Sequence, residues 1–266
     1  MGIAAGSAGH TGARRVNLGD WAGMAATSFV AGLLQAANGF GFAVLAVPLF
    51  LLFAEPGPAV QLVVIVTLAM SAVVLPGMGR EVDRPLLLRL CLGGLVGLPL
   101  GLAAFGYADP VAVRAVIGVT ILAFAGTIVA MRWRRRIFAL AMRPDRDLAA
   151  GVVSGIATAL TGMSGPPVLI YLMLAGSPPR IVRATLFAFF AACYTATLIA
   201  YVATVGVPGD TWLAAASLMP FAWAGGLIGR RVGDRLGIEA ATVLALVVLT
   251  ATGLYTVAAA LRLALS

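Results

Sequence analysis

Long apolar runs, set between short gaps of charge, glycine and proline, make up most of the chain. The runs are Asp20 to Phe53, Pro58 to Gly79, Pro85 to Tyr107, Val111 to Met131, Asp147 to Ala175, Pro179 to Gly206, Thr211 to Gly229 and Glu239 to Leu263. Blocks of about 20 residues suit helices that cross a hydrocarbon layer of about 30 Å, whereas strands of a membrane barrel would alternate residue by residue. These runs do not alternate, so the pattern predicts an all-α integral membrane protein.

Two runs are too long to stand upright as single helices. Asp20 to Phe53 and Asp147 to Ala175 would extend about 50 and 44 Å at about 1.5 Å per residue. Each is interrupted near its middle, by Asn38-Gly39-Phe40-Gly41 and by Thr161-Gly162-Met163-Ser164-Gly165-Pro166-Pro167. A helix that enters, breaks and returns to the side it came from explains both the length and the break. In the second run, proline suits the first turn of a new helix starting at about Pro166, with Ser164 or Thr161 as its cap. In the first, Asn38 is the expected cap and Gly41 frees the backbone before Phe42.

The two broken runs head two sets of four, divided by the arginine-rich stretch 132–146. Ala31-Gly32 and Ala150-Gly151 open similar segments, and the third run of each set carries glycine every four residues: Gly93, Gly97, Gly101 and Gly225, Gly229, Gly233. Small residues at that spacing let helices approach closely in lipid. We therefore expect a tail over 1–19, a first transmembrane repeat over 20–131, a cytoplasmic linker over 132–146 and a second repeat over 147–266.

Charge orients this arrangement. All 18 basic residues are arginine, and if both broken runs are re-entrant, 14 of them fall in loops 80–89, 132–146, 177–183 and 230–237 on one side. The positive-inside rule then makes that side cytoplasmic. Each repeat contributes three full crossings, an odd number, so the repeats are inverted relative to one another. Letting the first run alone cross moves only the N-terminal tail, whose side stays open. Arg14 and Arg15 resemble a signal-peptide n-region, but apolar character continues to Phe53, which favours a retained membrane segment. The composition agrees: 61% hydrophobic, 11% charged, net charge +8 and mean hydropathy +1.04. No soluble segment is long enough to display that charge to a nucleic acid.

The breaks are where chemistry is expected. A helix N-terminus carries unpaired N–H groups and about half a positive charge, which suits an anion in a region of low dielectric. Glycines 39, 41, 162 and 165 let a ligand reach the backbone. Arg183, three residues deeper than Arg180 and followed by Thr185, is a candidate anion contact through its planar guanidinium. No Asp or Glu lies deep within a run, which disfavours a buried carboxylate relay. Cys91 and Cys193 lack metal-ligand spacing and read as small buried apolar residues. No metal or cofactor is implied.

ANGFGFAVLAVP in the first half and TGMSGPPVLIYLMLAGSPPRIVRATLFAFF in the second resemble the TauE/SafE family of sulfite and organosulfonate exporters, across nearly the whole chain. The resemblance implies a bacterial inner-membrane permease for sulfite, sulfoacetate or related anions. Carried over residue by residue, it places substrate at Asn38, Gly39, Gly41, Gly162, Ser164, Gly165, Pro166 and Arg183, beside the Thr161 and Thr185 named above. The partners implied are a small anion and the lipid bilayer, with homodimerisation left open. A passive anion channel shares the same cradle. The rival from another class is an intramembrane serine protease, because Gly162-Met163-Ser164-Gly165 fits GxSG. That chemistry needs a histidine base, and the chain's one histidine, His10, lies in the N-terminal tail.

Overall fold

In the computed structural model, residues 18–38, 41–75, 79, 81–107, 109–134, 140–233 and 238–265 are described. His10 and most of the N-terminal tail lie outside them. The described residues form α1 (Leu18–Asn38), α2 (Phe42–Phe50), α3 (Pro56–Val74), α4 (Arg84–Tyr107), α5 (Pro110–Arg134), α6 (Pro144–Thr161), α7 (Gly165–Leu174), α8 (Pro179–Thr204), α9 (Gly209–Gly233) and α10 (Ile238–Leu265). Each apolar run is thus one helix, except the two over-long runs, which are two each. Helix starts follow the proline rule: Pro56, Pro144 and Pro179 sit in first turns, where a missing N–H costs nothing. Asp145 and Asp147 in the first turn of α6 favour its positive end. The arginine-rich stretch is consequently shorter as a connection than its sequence suggests, since α5 runs on to Arg134 and α6 begins at Pro144.

Among the described residues, five helices are long and apolar enough to cross a membrane: Pro56–Val74, and the spans Arg84–Ala104, Val111–Ala130, Arg180–Thr204 and Gly209–Gly229. The sixth expected crossing, α10, is 28 residues long. The outer faces are apolar, with Leu88, Leu95, Val96, Ile199, Leu213 and Leu227 exposed, as a surface solvated by lipid requires. The short helices are innermost. Every residue of α2 except Leu49 is buried, and α7 buries Val168, Leu169, Tyr171 and Leu172.

Both short helices double back along their predecessors. The Leu140 N–H donates to the Leu174 carbonyl at 2.9 Å, which puts the end of α7 beside the stretch leading into α6. Likewise Phe53, just beyond α2, packs against Gly23 near the start of α1. The glycine rows set the closest helix contacts. A Cβ on Gly93 or Gly97 would lie 2.2 Å from the Leu148 carbonyl oxygen or 2.1 Å from that of Val152. Gly151 and Gly155 answer from the other side, against the Leu90 and Gly94 carbonyls at 2.2 and 2.3 Å. On α9, Gly225 and Gly229 meet the carbonyls of Phe29 and Leu33 at 2.0 and 2.2 Å, and Gly32 meets Ala222. Contacts advance in the same direction along both members of each pair, so α4 runs parallel to α6 and α1 to α9. The most extensive pairings therefore exchange helices between the two sets: α4 with α6, α1 with α9 and α5 with α10.

Candidate functional site at the two helix breaks

A break in a membrane helix leaves carbonyls at the end of one segment and N–H groups at the start of the next, with no water to satisfy them. Here side chains from neighbouring helices do so. At the second break, α6 ends on Gly162, whose φ of 69° is a left-handed conformation that glycine adopts without penalty. Its N–H closes on the Thr158 carbonyl at 2.8 Å. The Ala159 carbonyl receives the Tyr201 hydroxyl at 3.1 Å, and the Gly162 carbonyl receives the Tyr194 hydroxyl at 2.9 Å. The Tyr194 oxygen also accepts the Ser164 N–H at 3.4 Å. Ser154 donates to the Ser164 carbonyl, and Thr158 in turn donates to the Ser154 carbonyl at 2.7 Å.

The expected caps of α7 are overturned. Ser164 makes no side-chain capping bond, and its φ of −78° and ψ of −21° are helical. The reason lies in the next residues. A capping oxygen accepts from the second or third helical N–H, and those positions are Pro166 and Pro167, which have none. Thr161 is turned back on its own helix, donating to the Ala157 carbonyl at 2.7 Å. The Ser164 hydroxyl is consequently fully buried, with no partner of good hydrogen-bond geometry among the described residues. Gly165 lies under the Phe190 ring, 3.1 Å from where a Cβ would stand.

At the first break, Gly39 lies outside the described residues, as does the side chain of Asn38. Gly41 has a φ of 124°, again in glycine's territory, and its carbonyl accepts the Leu45 N–H at 3.0 Å. The Phe42 N–H that opens α2 is taken by Gln35 Oε1 at 3.1 Å. Arg183, reaching over from α8, donates to the Ala36 carbonyl at the end of α1. Thr185, two residues further along α8, is fully buried and its hydroxyl has no partner among the described residues.

One face of α8 links the two breaks. Arg183, Phe187, Phe190 and Tyr194 recur at helical spacing, with ring centroids 6.1 Å apart for Phe187–Phe190 and 5.9 Å for Phe190–Tyr194. From Arg183 to Tyr194 is about 16 Å along the axis. The α8 residues that serve the two breaks are therefore separated along its axis, with the Phe187 and Phe190 rings between them. Gly162 bridges part of that offset, resting against Val47 of α2 and Val60 of α3. The structure thus sets Arg183 at the end of α1, ahead of the first break, and groups Thr161, Gly162, Ser164, Gly165 and Pro166 at the second.

Gln35 and Asp147 escaped the sequence reading. Gln35 is one of the two carboxamides in α1, three residues ahead of Asn38, a signal that was available. Asp147 sits near a run's end, yet it is fully buried: Arg89 Nε stands 2.6 Å from one carboxylate oxygen, and Tyr171 donates to the other. Three helices, α4, α6 and α7, meet on that carboxylate. Arg180 lines an open cavity of about 520 Å³ with Glu81, Val82, Asp83, Pro178 and Ile181, one turn outside Arg183. Cys91 and Cys193, distant in sequence, share the wall of an apolar cavity of about 80 Å³ between α4 and α8. Among the described residues, no group of three or more His, Cys, Asp or Glu is placed to hold a metal ion.

A family model described as Sulfite exporter TauE/SafE matches residues 24–256 of the chain. Neither a curated protein nor a solved structure matches it.

Proposed function

The chain belongs to the sulfite exporter TauE/SafE family, and from that premise we propose that it is an inner-membrane permease that carries small sulfur-containing anions, such as sulfite or sulfoacetate, out of the cytoplasm. The anion is held at the broken helices and passes between them as two inverted repeats, 20–131 and 147–266, rearrange. The observation that carries this reading is the pair of breaks, after which α2 and α7 open on the buried residues Phe42 and Gly165, with Arg183 donating at the end of α1 and the buried Ser164 at the start of α7. The exchanged pairing of α1 with α9 and α4 with α6 supports inverted repeats, because each set then completes the other's hairpin. The aromatic rings between the breaks support alternating access over an open pore.

No formal carboxylate relay is required. An anion leaving a cell that is negative inside gains about 2.3 kcal/mol per charge for each 100 mV. Purified protein in liposomes should therefore release sulfite or sulfoacetate in a saturable, counterflow-competent manner, faster with an inside-negative potential. Taurine and acetate in the same panel define selectivity. Transport of a neutral compound, unaffected by voltage and without anion flux, would defeat the proposal. Flux that does not saturate would make the protein a channel.

A further inference from the structure

We infer that the anion's oxygen-bearing head group is taken at the first break, and that the Gln35 carboxamide is the group that recognises it. This rests on the permease reading above and assigns its chemistry to a particular residue and level.

The two breaks are not equivalent as anion sites. At the second, Pro166 and Pro167 delete two of the N–H groups that a helix start normally offers, and Tyr194 takes the Ser164 N–H. What remains for a ligand is the Gly165 N–H and the Ser164 hydroxyl. At the first break, no proline interrupts the opening turn of α2, and the N–H groups of Ala43 and Val44 precede the first intrahelical bond, Leu45 to Gly41. The positive end of α2 is thus intact.

Gln35 supplies the independent observation. It is 1% exposed, and its two ends are chemically distinguished. The Phe42 N–H can only donate, so the end of the carboxamide facing it at 3.1 Å must be the oxygen. That leaves Nε2, with two N–H donors, buried and without an acceptor among the described residues. A buried amide nitrogen in an apolar interior is costly unless an acceptor arrives. Arg183 donates to the carbonyl of Ala36, the residue next to Gln35, so a guanidinium lies at the same level. A donor pair, a helix N-terminus and a guanidinium together suit an oxyanion with several acceptor oxygens on one centre. Sulfite and the sulfonate head group have that shape; a site short of donors would suit a halide better. Sites built around hydrogen-bond donors discriminate strongly against ligands that leave the donors unpaired.

Two substitutions separate recognition from mere capping. Gln35→Glu keeps an oxygen for the Phe42 N–H but replaces the two-donor amide end with a second carboxyl oxygen. Gln35→Met keeps the volume and removes both ends. Sulfite efflux is measured in proteoliposomes as a function of internal sulfite, with detergent-solubilised thermal stability measured in parallel. If Gln35 binds the anion, Gln35→Glu raises the sulfite KM tenfold or more, further than Gln35→Met does, while its melting temperature stays close to that of the unsubstituted protein. If Gln35 only caps α2, Gln35→Glu transports at the normal KM and Gln35→Met alone is impaired, and the inference is overturned. A Ser164→Ala variant whose KM rises while that of Gln35→Glu does not would move recognition to the second break, overturning the inference while leaving the permease reading intact. Absence of any anion flux from the unsubstituted protein would instead be a failure of that reading.

Discussion

Tyr194→Phe tests whether side chains of α8 hold the second break together. The hydroxyl is fully buried and serves two backbone groups, donating to the Gly162 carbonyl at 2.9 Å and accepting the Ser164 N–H at 3.4 Å. Removing it leaves both groups in an apolar interior. A buried polar group stripped of its partner costs about 1–3 kcal/mol. The carbonyl loses a well-formed bond and bears most of that cost, whereas the N–H at 3.4 Å loses a weak one. The ring remains and keeps its packing against Phe190, so no cavity term is added. The sum is about 2–3 kcal/mol, some of which the unpartnered Ser164 hydroxyl recovers if it turns towards the freed groups. Unfolding in mixed detergent micelles measures the loss, and Tyr201→Phe, which frees only the Ala159 carbonyl, should lose about half as much. Equal stability of Tyr194→Phe and the unsubstituted protein would refute the claim that these hydroxyls repair the broken backbone.

Other substitutions probe the rest of the frame. Gly97→Ala puts a Cβ 2.1 Å from the Val152 carbonyl oxygen, so α4 and α6 must part by about 1 Å, at a cost of about 1–3 kcal/mol or more. Gly126→Ala, with nothing within 4 Å, should be neutral or slightly stabilising in the same unfolding assay. Arg89→Ala strands the Asp147 carboxylate and should destabilise by about 3–5 kcal/mol, while Asp147→Asn should cost less, because Arg89 is one-third exposed and can turn to water. Thr185→Val, isosteric and apolar, relieves a buried unpartnered hydroxyl, so stability should hold or rise while a substrate contact there would appear as a higher KM.

The helix plan was legible because lipid imposes it. Run length, proline at helix starts and glycine at four-residue spacing each answer to the bilayer's thickness or to close packing without water, and all of them survive into the structure. Gly93, Gly97, Gly225 and Gly229 lie where backbones touch, although no sequence rule told that α4 would find α6 of the other set. The breaks were legible as breaks, because glycine and paired proline inside an apolar run have few other uses. Their internal bonding was not. A local rule points to Ser164 and Thr161 as caps, but Pro166 and Pro167 remove the N–H groups a cap would bind, and partners come instead from Tyr194 and Tyr201, some 30 to 40 residues on. Asp147 looked peripheral because depth was judged along a single helix, while its burial comes from α4 and α7 packing around it. Arg183 was read as a ligand contact, and the structure adds a backbone role at the Ala36 carbonyl.

Locating the anion itself tests the account most directly. Selenite, a heavier analogue of sulfite with the same pyramidal shape, can be placed by anomalous scattering in crystals of the purified protein. The account predicts a selenium peak inside the bundle, within hydrogen-bonding reach of Gln35 and Arg183 at the start of α2. A selenium confined to the open cavity at Arg180, with none at either break, would contradict it.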